Sequence, residues 1–165
     1  MTIKEFKYQY ALGALSHADL VSIAKRTSSK YILTTLSKNK NLYIRCDVAE
    51  NKNTPVEVLT KLSKDSVDFV RDCVARNPNT LVEVLKKLST DKDYYIRRHV
   101  ALNPNTPKKV LTTLSKDKKW FVRSWVTKNS NTPKKLLIKL SKDSDIDVKN
   151  NAKKALINKY DSKRI

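Results

Sequence analysis

The sequence predicts an all-α solenoid built from two-helix repeats with a 26-residue period. Three observations predict it. The pair Leu-Ser recurs at Leu36-Ser37, Leu62-Ser63, Leu88-Ser89, Leu114-Ser115 and Leu140-Ser141, each 26 residues after the last. Asparagine recurs in two ladders with the same step: Asn51, Asn77, Asn103, Asn129 and Asn53, Asn79, Asn105, Asn131. Between these markers the apolar residues fall three and four apart, the mark of helices with one buried face. A unit this short cannot bury its apolar face alone, so copies must stack to make a core.

In chain order, residues 1–35 read as an N-terminal cap with a degenerate repeat. Residues 36–139 read as four regular repeats and 140–165 as a C-terminal cap, all in a single domain. The first helix of a unit is expected to start near residues such as Asp65, with Val70 and Val74 facing inward and Phe69 and Cys73 forming a neighbouring row. It should end at Asn77-Pro78, because the residue before proline disfavours the α region. For the second helix, Thr54-Pro55, Thr106-Pro107 and Thr132-Pro133 suggest an N-cap hydroxyl followed by proline at the first helical position. Glu57 and Glu83 stand where a capping box needs them. Val58, Leu59 and Leu62 supply the buried stripe. Ala49, Ala75 and Ala101 keep one face small, and the asparagines are placed to satisfy loose backbone groups in the bends. Arg45, Arg71, Arg97 and Arg123 recur in every unit, which points to a scaffold role, pairing with the Asp ladder or with helix carbonyls. Residues 1–20 should add a capping helix, Asn151–Leu156 should continue as helix, and the polar tail Asp161–Ile165 should fray.

Composition excludes several classes. With 165 residues the chain can bury a core without metal or bridges. A single glycine, Gly13, leaves no glycine-rich phosphate loop. Two Cys and two His do not make a structural zinc site, so no metal and no cofactor is expected. No apolar run approaches the ~20 residues of a membrane span, and the N-terminus lacks the apolar stretch of a signal peptide. A cytoplasmic monomer is the expectation, with Cys46 and Cys73 as free thiols in a reducing compartment.

Segments such as Val74-Ala75-Arg76-Asn77-Pro78-Asn79-Thr80 and Val100–Leu111 resemble the leucine-rich repeat variant family. The resemblance covers about residues 22–156 and implies a HEAT-like α-solenoid wound into a right-handed superhelix. This sequence departs from the family in a slightly longer unit. It also lacks the N-terminal Cys cluster that holds an iron–sulfur centre in the founding member, so no cluster is implied. The family implies a fold and no common reaction.

Function in a repeat protein is sought where the repeat positions stop repeating. The net charge is +19, and residues 86–165 carry 22 Lys+Arg against 7 acids. The two positions after the Thr-Pro site read Val56/Glu57, Val82/Glu83, Lys108/Lys109 and Lys134/Lys135. With Lys86, Lys87 and Lys139, these lysines are expected to form a basic face for an anionic partner, nucleic acid foremost, by neutralising phosphates. A second candidate is the rim of the first helices, where Tyr94, Arg98, Lys119 and Trp120 combine aromatics with cations. That rim suits the alternative function, an adaptor for a peptide or an acidic protein. The expected role is non-catalytic, since His17 and His99 lie in no catalytic motif. A HEAT-like DNA glycosylase using Trp120, Trp125 and Asp117 is a remoter reading, because Asp117 recurs in nearly every unit and so reads as a cap.

Overall fold

The computed structural model describes residues 1–161. The expected frayed tail, from residue 162 on, lies outside the described residues. Helices α1 (Ile3–Ala11), α2 (His17–Arg26), α3 (Lys30–Leu36), α4 (Leu42–Glu50), α5 (Val56–Leu62) and α6 (Asp68–Arg76) fall in a first compact unit, Met1–Leu81. A second unit, from Val82 on, holds α7 (Val82–Leu88), α8 (Tyr94–Leu102), α9 (Lys108–Leu114), α10 (Trp120–Lys128), α11 (Lys134–Leu140) and α12 (Ile146–Leu156). The chain then passes into a π-helical turn, Ile157–Asp161. The described residues include no strand. No helix among them is long and apolar enough to cross a membrane.

Long and short helices alternate. The long helices α4, α6, α8, α10 and α12 begin at Leu42, Asp68, Tyr94, Trp120 and Ile146; the seven-residue helices α5, α7, α9 and α11 begin at Val56, Val82, Lys108 and Lys134. Seven residues are too few to hold a helix in water, so tertiary burial stabilises them. Val58, Leu59 and Leu62 of α5 are buried, as are Leu136, Leu137 and Leu140 of α11. Val70 and Val74 are fully buried, as the pattern predicts. In the first unit α4 packs against both α2 and α6; in the second, α10 packs against both α8 and α12. At the N-terminus α1 lies within residues 1–20, the expected capping segment. α2 takes the place of a long helix against α4, and α1, opened by a Thr2–Glu5 capping box, packs against α3.

Three kinds of polar tie hold successive turns together. The first is the asparagine ladder. Nδ2 of Asn77 donates to the carbonyls of Ala49 and Asn51 at 2.7 and 3.1 Å, and Nδ2 of Asn129 donates to those of Ala101 and Asn103 at 2.7 and 2.9 Å. The last carbonyls of a long helix have no partner inside that helix, and the asparagine from the following turn supplies one. Oδ1 of Asn129 also accepts the amide N–H of Asn131. Asn129→Ala removes all three bonds and should cost about 2 kcal/mol, read as a lower urea midpoint at unchanged slope.

The second tie corrects an expectation. The buried threonines do not cap the short helices. Pro55, Pro107 and Pro133 occupy the N-cap position, with no side-chain cap. The hydroxyls of Thr54, Thr80, Thr106 and Thr132 instead donate backwards to the carbonyls of Val48, Val74, Val100 and Val126, at 2.5–2.6 Å. The hydroxyl is buried beside the end of the long helix, where the valine carbonyl already accepts the N–H of the capping asparagine and has a second lone pair to offer. Glu57 accordingly stays exposed rather than closing a capping box.

The third tie is the arginine ladder. Arg45 grips Asp65 through Nε and Nη2 at 2.7 and 3.0 Å, Arg97 grips Asp117 at 2.6 and 3.0 Å, and Arg123 grips Asp143 at 2.8 Å twice. Nη1 of Arg97 also donates to the carbonyls of Asp91 and Lys92. The arginines thus meet both the aspartates and the carbonyls. Neither asparagine ladder continues past Asn131, since the matching positions hold Ala155 and Ile157. Nζ of Lys159 donates to the carbonyls of Ser130 and Thr132 instead, the places that match Pro104 and Thr106 one unit earlier.

The two cysteines are not free. Cys46 on α4 and Cys73 on α6 form a disulfide, with Cα atoms 5.5 Å apart. They occupy different positions of the repeat, which is why the sequence alone separates them. Within each unit, contact between consecutive long helices runs along a diagonal of 27 residues, one more than the repeat. The same diagonal sets the Arg98 guanidinium 5.9 Å from the Trp125 ring centre between α8 and α10. Between α10 and α12 it sets Nδ2 of Asn151 2.9 Å from Oγ of Ser124.

Candidate nucleic-acid interface

The basic candidates all lie in the second unit. Lys86 and Lys87 on α7, Lys108 and Lys109 on α9, and Lys134, Lys135 and Lys139 on α11 are exposed. Among the described residues none of them forms an ion pair. Four acids of this unit are engaged elsewhere. Asp117 and Asp143 are clamped by Arg97 and Arg123, and Asp93 and Asp145 cap α8 and α12. Burial pushes the Asp117 carboxyl up, but the bonds from Arg97 and from the Lys119 amide outweigh it and hold it below the ordinary value. In Asp143 the hydrogen bond from Arg123 leads, with the same result. These carboxylates therefore stay charged and tied to the scaffold, leaving the lysines' charge facing solvent.

The structure gathers some of the predicted lysines. Lys135 and Lys139 line one concavity of about 340 Å³ with Thr112, Ser115, Lys116, Pro133 and Leu136. Lys116 is a contributor the repeat pattern did not single out. Lys134 turns the other way, its Nζ lying 5.1 Å from the Tyr160 ring centre.

The rim residues Tyr94, Arg98, Lys119 and Trp120 meet in a second concavity of about 440 Å³, joined by Tyr95 and Phe121. Tyr94 stacks on Tyr95 at 4.3 Å, and Nζ of Lys119 lies 5.5 Å from the Tyr94 ring centre. Hydrogen bonding with Tyr95 raises the Tyr94 phenol above its ordinary value. One expectation needs correcting here. The position shared by Cys46, Asp72, Arg98 and Ser124 does not face open solvent: Cys46 and Ser124 are buried and Arg98 is half-buried. The cause is the diagonal seam, which turns this position toward the next long helix. Arg98 lies 5.1, 5.2 and 5.9 Å from the ring centres of Tyr95, Phe121 and Trp125, and its Nε is buried with no hydrogen-bond partner. Trp125 is half-buried against Phe121 and Lys128, in line with a packing role. Asp117 is not the cap expected of it: the N-cap of α10 is Lys119, and Asp117 is held by Arg97 while accepting the Lys119 N–H in the turn before the helix.

One group of metal-type ligands converges, Cys46, Glu50 and Cys73, with ligand atoms within 4.8 Å of one another. Both sulfurs belong to the bridge and Glu50 is paired with Arg76 at 3.0 Å, so this donor set does not fit a metal ion.

No protein-family model matches the sequence, and no curated protein matches it. Among solved structures the chain is similar to an engineered protein, at a TM-score of 0.54 and 20% identity, over 85% of this chain and 87% of that one. The chain is an all-helical repeat protein. It is also similar to a leucine-rich repeat variant described as having a novel repetitive structural motif, at a TM-score of 0.44 and 20% identity, over 91% of this chain and 71% of that one.

Proposed function

We propose that the protein is a non-catalytic binding scaffold whose second unit holds nucleic acid through its lysine face, contacting mainly phosphates. The observation that carries this reading is the unpaired state of the lysines beside acids committed to the scaffold. Residues 86–165 have 22 cations against 7 acids. The placement of Lys108, Lys109, Lys134 and Lys135 adds support. They open α9 and α11, the helix end where cations are disfavoured, while α5 and α7 carry Glu57 and Glu83 there. A position that breaks a local rule without a structural gain is a candidate for function. Contacts to phosphate carry no sequence information, so little sequence preference is expected.

The test is the quadruple variant Lys108→Glu, Lys109→Glu, Lys134→Glu, Lys135→Glu. The wild type should bind a DNA duplex with a log–log salt slope of about −4, for roughly four neutralised phosphates. The variant should lose at least about 100-fold in affinity at low salt while unfolding at the same urea concentration as the wild type. Unchanged affinity would remove the lysine face from the reading. The adaptor alternative is favoured by the exposed Tyr95 and Trp120 at the rim. An aromatic-anchored protein partner would respond far less to salt.

A further inference from the structure

We infer that the aromatic concavity at the start of α8 and α10 is a stacking site for an unpaired base, so that the preferred ligand is single-stranded nucleic acid. This rests on the lysine face as the phosphate site and adds to it. Three observations lead there.

The first is the exposed ring surface. Tyr95 is 48% exposed and Trp120 is 42% exposed, and both line one concavity. Trp120 and Phe121 pack as a T-shaped pair, with ring planes at 83°, rather than stacking face to face, and Trp120 keeps its exposed surface. Every base has a flat face that such a ring can stack on, whatever the sequence. A duplex keeps its bases inside and has no such face to offer along its length.

The second is charge. Arg98 and Lys119 both line the concavity, the Arg98 guanidinium 5.1–5.9 Å from three ring centres and Nζ of Lys119 5.5 Å from that of Tyr94. Aromatic residues among cations suit a base that arrives with its phosphate. A neutral apolar peptide would gain nothing from Arg98 or Lys119.

The third is continuity. Lys116 lines the lysine concavity and Lys119 lines the aromatic one. Three residues span at most about 11 Å of extended chain. Within that link Lys118 is exposed, while Asp117 is turned in to Arg97. A sugar-phosphate backbone can follow Lys135, Lys139, Lys116 and Lys119 and place one base against Trp120. A positive track ending on a ring is the arrangement single-strand binders use.

The experiment measures binding of fluorescently labelled twelve-nucleotide oligo(dT) and of a twelve-base-pair duplex to wild type, Trp120→Ala, Trp120→Tyr and the quadruple lysine variant, with an acidic Glu-rich peptide as a third ligand. The expected result is that Trp120→Ala weakens oligo(dT) binding about tenfold, the order a lost base stack gives. Duplex binding should change less than twofold, and Trp120→Tyr should restore most of the oligo(dT) affinity. Thermal unfolding of both Trp120 variants should match wild type. Equal loss for oligo(dT) and duplex, or no loss for either, overturns the stacking site and leaves the lysine face intact. Wild type binding neither nucleic acid overturns the lysine face itself. Tighter, Trp120-dependent binding of the acidic peptide overturns both in favour of a protein partner.

Discussion

Arg97→Ala should destabilise the protein by about 3–5 kcal/mol, the usual cost of removing one partner from a buried ion pair. The pair side chains are 9% and 8% exposed. Loss of the guanidinium leaves Asp117 without two charge-assisted bonds and leaves the Asp91 and Lys92 carbonyls without their donor. The double variant Arg97→Ala, Asp117→Asn should recover part of the loss, because no uncompensated charge remains. The pH dependence follows from the direction of the shifts. Asp65, Asp117 and Asp143 are all held below their ordinary values by their arginine partners and by backbone N–H groups. Each therefore contributes stability that is fully present above the unfolded carboxyl pKa of about 4 and is lost as pH falls through the lower, folded value. Urea midpoints should be flat near neutrality and fall below about pH 4. The penalty of Arg97→Ala should shrink over the same acid range, as Asp117 takes up its proton. A full penalty at pH 2 would mean that packing, rather than charge, holds this site.

Reducing the bridge between Cys46 and Cys73 should cost about 3.5 kcal/mol by the loop-closure relation, for a separation of 27 residues. Most of this effect lies in the unfolded chain, which gains freedom once the loop opens. The measurement is a urea titration with and without reductant, paired with thiol counting on the denatured chain. The untreated protein should give no reactive thiol and the reduced protein two. A double Cys→Ala variant should sit near the reduced wild type. An unchanged midpoint on reduction would show that the α4–α6 seam holds without the covalent tie.

The fold was legible because stacking turns a linear period into repeated burial. Val70, Val74, Leu59 and Leu62 announce themselves by spacing and are buried as the spacing demands. The arginine ladder was legible too, since a cation that recurs in weakly charged units points to the scaffold. What the sequence hides is direction. Thr54 and Thr106 look like caps for the helix that follows, yet their hydroxyls serve the helix before, a choice made by burial. The seam is hidden for a related reason. Aligning copies at 26 residues sets Cys46 against Asp72, whereas contact runs one residue further, to Cys73. That offset also moves Arg98 from the open rim into the lining of the aromatic concavity. Of the candidate site, residue types and the half of the chain were legible. Which lysines share a concavity was not, because Lys134 and Lys135 are neighbours in sequence and part company in space.

The lysine that closes the last turn has a consequence for association. Modular chains of this kind are at risk of growing head to tail, one molecule adding to the end of another without limit. One unit earlier the matching carbonyls of Pro104 and Thr106 are taken by Asn131, and those of Ser130 and Thr132 are taken by Lys159, so a second copy docking there would have to displace that side chain from both.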